Sequence, residues 1–224
     1  MADTNNNVFN PEEWCGEWES FEHYIESDDH LIDDAWNKAE QAALSNPRMA
    51  PMAARGIRAF WAMACATTSP ENAVRIGSMV ITDIPLTSQA DDNETDDVRI
   101  RIVWRGEDGS TLAEHDYRCD HVMAKGLEGA PTFVFEAVDG SSLADPFHWL
   151  LAISPLPKRA EFSAKGGLLS HFHFQYASDL AMLIQRDEQG AEHLLNQRWY
   201  ATMCACEGTS ADRAAVILAL HHVG

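Results

Sequence analysis

With 224 residues, 46% of them hydrophobic, the chain is long enough to bury one large core. Thirty-five acidic against 16 basic residues give a formal net charge of −19. Phosphate backbones and anionic headgroups repel such a chain, which argues against nucleic-acid and membrane-surface partners.

No apolar run approaches the roughly 18 residues that span a bilayer. The opening MADTNNNVFNPEEW lacks the basic-then-apolar order of a signal peptide, so a cytoplasmic location is expected. The cysteines, Cys15, Cys65, Cys119, Cys204 and Cys206, are odd in number and scattered. That pattern predicts reduced thiols rather than a disulfide framework. Cys204-Ala-Cys206 is the one close pair, and it reads better as semi-buried thiols than as a soft metal site.

In chain order, residues 1–13 are polar and predict a flexible N-terminus, followed by a single domain over 14–224. That domain divides into a helical segment at about 31–70, a barrel at about 76–176 and C-terminal helices at about 178–222. The stretch WCGEWESFEHYI fits a helix through Trp14, Trp18, Phe21 and Ile25. It fits a strand equally well through Trp14, Gly16, Trp18 and Ser20. LIDDAWNKAEQAALS (31–45) predicts a helix entered through Ser27-Asp28-Asp29 and ended before Pro47. A second helix is expected from Met52 to Cys65, with Ile57, Phe60, Trp61 and Ala64 on one stripe. Ser69-Pro70-Glu71 breaks that pattern or starts a short third helix.

From residue 76 the period changes to two. Ile76–Ile84 predicts a strand, and the acidic run QADDNETDD (89–97) a solvated hairpin loop. Val98, Ile100, Ile102 and Trp104 alternate with arginines and Val103, the pattern of a half-buried strand. Further strands are expected at Asp116–Met123, Thr132–Val138, Phe147–Ser154 and Ser170–Tyr176. Hairpin-length links with no long helix between them predict an antiparallel sheet curled into a barrel, which removes its edges. The fold class is therefore mainly β with added helices. Helices are expected again at Ser178–Arg186, Gly190–Asn196 and Ser210–His222. The last is announced by Thr209 and Asp212. His221 and His222 at its end suit the helix dipole as positive charges.

SHFHF (170–174) is the most suggestive segment. On a strand, His171 and His173 share one face while Phe172 and Phe174 take the other. Phenylalanines packed under a helix would leave the histidines lining the barrel lumen or its mouth. Imidazoles at i and i+2 lie about 6–7 Å apart, close enough to share one metal ion. The bland reading is two polar residues on a half-exposed strand.

Several segments carry a family resemblance. They are Trp14-x-Gly16-x-Trp18-x-Ser20, Phe135-Glu136 followed by Asp139, Ser170-His171-Phe172-His173-Phe174, Ser178-Asp179, Arg198-Trp199-Tyr200, and a closing helix ending in His. In order and spacing the chain resembles, at a distance, the ZinT (YodA-like) family of bacterial metal-binding proteins. The resemblance implies a calycin-like, lipocalin-type barrel with added helices. It also implies zinc held at the barrel mouth by three histidines, and no enzymatic activity. Two of those ligands fall on His171 and His173. The third falls on Ser154 or Ile153, so the ligand set is incomplete. His148 lies six residues from Ser154, about 20 Å along a strand. From His115 to Met123, His121 and Cys119 take the parity of an inward face; these two and His148 are the candidates for the missing ligand.

The leading expectation is a metal-binding protein, with zinc as the expected ion, that buffers or delivers a divalent ion through His171 and His173. The alternative is a lipocalin-like barrel holding a small hydrophobic ligand among Phe133, Phe135, Trp149 and Trp104, with the metal site degenerate. An enzyme using the His pair as acid and base has little support. The chain lacks G-x-S-x-G, H-E-x-x-H, a phosphate loop and a dinucleotide fingerprint.

Overall fold

The computed structural model describes residues 8–47, 49–85, 99–140, 142, 144–165 and 167–223. Its centre is a closed antiparallel barrel of eight strands. These are β1 (Gly16–Ser20), β2 (Ile76–Ile84), β3 (Arg99–Gly106), β4 (Thr111–Met123), β5 (Thr132–Ala137), β6 (Trp149–Ala152), β7 (His171–Ala177) and, after a separate hairpin of β8 (Ile184–Arg186) and β9 (Glu192–Leu194), β10 (Ala201–Ala205). The order around the barrel is β1-β10-β7-β6-β5-β4-β3-β2. Two of these strands lie outside residues 76–176, and they close the ring: β10 pairs with both β1 and β7. The acidic run 89–97 lies outside the described residues.

The helices are α1 (Glu22–Glu26), α2 (His30–Ser45), α3 (Ala50–Ala53), α4 (Ile57–Ala64), α5 (Arg159–Lys165) and α6 (Ser210–Leu220). Asp29 caps α2, its carboxylate accepting from Leu31 N at 2.8 Å. Thr209 and Asp212 form a capping box at the start of α6. The expected helix at 52–65 is two pieces, because Gly56 sits at φ +92° between α3 and α4, a backbone that favours glycine. WCGEWESFEHYI resolves into β1 followed at once by α1.

The lumen is filled. Trp14 and Trp18 reach Phe172 at ring-centroid distances of 5.5 and 4.9 Å, and Trp104 reaches Phe174 at 5.8 Å. Phe133, Phe135, Phe147 and Tyr176 complete this core. The residues assigned to a small-molecule pocket therefore need correction. Phe133, Phe135 and Trp104 pack with one another's neighbours as core, and Trp149 lies against a second cluster on the outer face. The N-terminal segment contributes too, since Phe9 stands edge-on to Phe135 at 5.0 Å.

That second cluster explains another departure. Residues 178–200 form no α-helix. A short 3-10 turn (Leu180–Met182) leads into the β8–β9 hairpin, and Leu183, Ile184 and Leu194 cover Val134, Leu151 and Ala177. Apolar residues three or four apart suit a helix by period, but a hairpin lid buries the same side chains.

Candidate functional site

β7 sets the site. Because Phe172, Phe174 and Tyr176 fill the lumen, His171, His173 and Gln175 take the outer face. This inverts the expectation of lumenal histidines, for a simple reason: a barrel this narrow is packed with aromatic side chains. The two imidazole centroids are 5.6 Å apart.

His173 is buried, and its neighbours fix its tautomer. Thr202 on β10 donates its hydroxyl hydrogen to Tyr200 O at 2.6 Å. Its oxygen is then free to accept from His173 Nδ1 at 2.8 Å. Nδ1 carries the proton, so Nε2 presents a lone pair. Facing that lone pair is Glu128, its Oε1 3.6 Å from Nε2. His171 Nδ1 is buried and makes no hydrogen bond among the described residues. Burial pushes both imidazoles down to about 4. For His171 the neighbouring His173 adds to that shift, while Glu128 and a hydrogen bond to the Leu169 backbone oppose it; for His173 a hydrogen bond to the Tyr200 backbone opposes it. Burial likewise raises the Glu128 carboxyl, with His171 pulling it back. The pair is thus neutral at pH 7, the form that binds metal.

Glu128 sits in the turn between β4 and β5. This turn is pinned: Gly126 N donates to Ala130 O at 2.8 Å and Leu127 N to Thr132 Oγ1 at 2.8 Å. A side chain on Gly126 would strike Thr132. Glu128 itself adopts φ 53° and ψ 17°, a left-handed conformation unusual for a residue with a Cβ. The sequence marks Leu127-Glu128-Gly129 only as a turn, and nothing in it signals a donor beside His173.

The other candidates lie elsewhere. A register shift between Cys119 and His121 turns His121 to the outer face, where its Nε2 meets Glu192 at 2.8 Å and its Nδ1 meets Asp120 at 2.8 Å. It therefore does not cross the lumen toward the His pair. Cys119 keeps the inward parity beside Phe135, with burial pushing its thiol up to about 11. His148 packs edge-on to Trp149 and stands 4.0 Å from Glu136. Ile153 belongs to the outer apolar cluster. His115 faces inward, with Asp139 and Asp145 each 3.0 Å from one of its nitrogens. Burial raises the thiols of Cys204 and Cys206, the latter to about 11, as fits protonated thiols. All five cysteines are free. Among the described residues no three His, Cys, Asp or Glu side chains already stand in ligand range of one point. Nor, among them, is any helix long and apolar enough to cross a membrane.

The donors nevertheless fit a metal in part. Tetrahedral zinc with nitrogen ligands at about 2.0–2.1 Å sets two imidazole centroids about 5 Å apart. The observed 5.6 Å is close to that spacing.

No protein-family model matches the sequence, and no curated protein matches it significantly. Among solved structures, the Zn(II)-bound ZinT-like domain of AdcA from Streptococcus pneumoniae superposes with a TM-score of 0.51 at 13% identity. The match covers 97% of this chain and 94% of that one. Zn(II)-bound AdcA from the same organism aligns at 15% identity and a TM-score of 0.49, over 97% of this chain and 39% of that one. The barrel, its flanking helices and this likeness together give the chain a distant version of the ZinT-like fold.

Proposed function

We propose that the protein binds a divalent metal ion, zinc above others, through His171 and His173, and serves to buffer or hand on that ion. The observation that carries the reading is the pair itself: two neutral imidazoles on one strand face, 5.6 Å apart, with an unpartnered Nδ1 on His171. Nitrogen donors of this kind suit zinc, and ordinary buried histidines have their polar atoms hydrogen-bonded. The zinc-bound state of the structural neighbour adds support, as does the resemblance to the ZinT family. Binding is the whole task in this reading, and no reaction is assigned. A small molecule in the lumen is not favoured, because aromatic side chains occupy it.

The test is zinc titration by calorimetry on chelator-stripped protein beside the His171→Ala/His173→Ala double variant. One equivalent bound by the parent and lost in the variant is the expected result. Equal, weak binding by both would sink the proposal.

A further inference from the structure

We infer that Glu128 is the third donor of this site, making it a His-His-Glu centre. The inference rests on the two-histidine reading and supplies the ligand that neither Ser154 nor Ile153 provides.

Three observations converge. The first is the hydrogen-bond chain Tyr200 O, Thr202 Oγ1, His173 Nδ1, which commits the only proton of His173 to the side away from Glu128. The facing atoms, His173 Nε2 and Glu128 Oε1, stand too far apart to share a hydrogen, and each can present a lone pair to the gap. A cation between them satisfies both.

The second is distance. Donors on a tetrahedral zinc lie about 3.3–3.4 Å apart. The gap between these two atoms is 3.6 Å, longer than a hydrogen bond and near the separation of two ligands on one ion. The Glu128 side chain is 48% exposed, so its outer torsions are free to turn the carboxylate onto an ion that the histidines hold.

The third is backbone strain. A glutamate in the left-handed region is less stable there than glycine. The adjoining Gly129, at φ 74°, shows that this turn already uses glycine where the backbone is left-handed. A carboxylate kept on a strained position beside a neutral imidazole is better explained by what it binds than by the turn. One carboxylate with two neutral histidines leaves a +2 ion with net charge +1, and a fourth position open to water or to an acceptor of the ion.

The experiment compares the full chain with Glu128→Gln, Glu128→Gly and His173→Ala, using zinc competition against a chromophoric chelator and the visible spectrum of cobalt(II) as a second probe. Thermal unfolding of each metal-free protein runs alongside. The expected result is at least about tenfold weaker zinc binding in both Glu128 variants and an altered cobalt spectrum. Metal-free Glu128→Gly should be as stable as the parent or more so, which separates a binding role from a structural one. Parent-like zinc affinity in both Glu128 variants, with binding lost in His173→Ala, would overturn the Glu128 assignment and leave the two-histidine site standing. If the parent takes up no zinc, the underlying reading fails, and this one with it.

Discussion

An imidazole in water takes up a proton near pH 6.5. His171 and His173 are held to about 4, chiefly by burial. Metal binding that competes with protons at these two nitrogens should therefore stay nearly flat from pH 7.5 to about 5, then fall steeply. Zinc affinity measured across that range checks it, and a decline centred on 6.5 would contradict the buried geometry. The sign of the stability effect follows from the same shift. Below about 6.5 the unfolded chain gains protons that the folded one refuses until about 4, so the contribution to stability is full above that window and lost through it. The pair was legible in the sequence because strict alternation in SHFHF puts two histidines on one face. The face itself was not legible: period two says that residues share a side, never which side is inside. Glu128 was invisible for another reason, since its relation to His173 depends on how a turn folds back over a neighbouring strand.

The helices show where local signals suffice. Asp29 and Thr209 mark helix starts that the chain adopts, because a side-chain oxygen satisfying an orphan N–H is a local event. Replacing Thr209 by Ala removes the hydroxyl half of the capping box, leaving the main-chain N–H at that position on Asp212, and should cost about 1 kcal/mol in urea unfolding. The far end of α6 works differently. His221 donates from Nδ1 to Ile217 O at 2.7 Å and accepts at Nε2 from Trp61 Nε1 at 2.8 Å. This buried ring is neutral, so it does not supply the positive charge expected of it at the helix end. Burial lowers its pKa, with the Ile217 carbonyl opposing. His222 and Glu40 are the titratable neighbours that act on it. His221→Ala would leave the Trp61 indole N–H without its acceptor, at a cost of about 1–3 kcal/mol. Denaturant melts followed by tryptophan emission measure it, and an unchanged midpoint would count against the assigned hydrogen bond.

At the scale of the molecule, the barrel behaves as a solid core rather than a container. Phe172 touches Trp14, Trp18 and Phe174, so Phe172→Ala should cost about 3–5 kcal/mol. Calorimetric unfolding would register the loss as a lower Tm, and a drop of under 1 kcal/mol would mean that the lumen is looser than its ring contacts imply. Much of this architecture could be read ahead: alternating strands with short links point to a closed antiparallel sheet. What escaped was the final closure, because β10 is a short, wholly buried run with no alternation to read, and because the β8–β9 hairpin carries helix-like spacing.

That closure joins the two ends of the chain. Trp18 on β1 pairs with Ala205 on β10, so the ring is sealed by partners separated by most of the polypeptide. Such a contact carries a large loop-closure entropy and belongs to a slow class of folding event. On the ribosome, β1 and β7 each keep one bare edge until β10 emerges. During synthesis the nascent barrel is therefore an open sheet with two adhesive margins, the state in which a chaperone has most to protect.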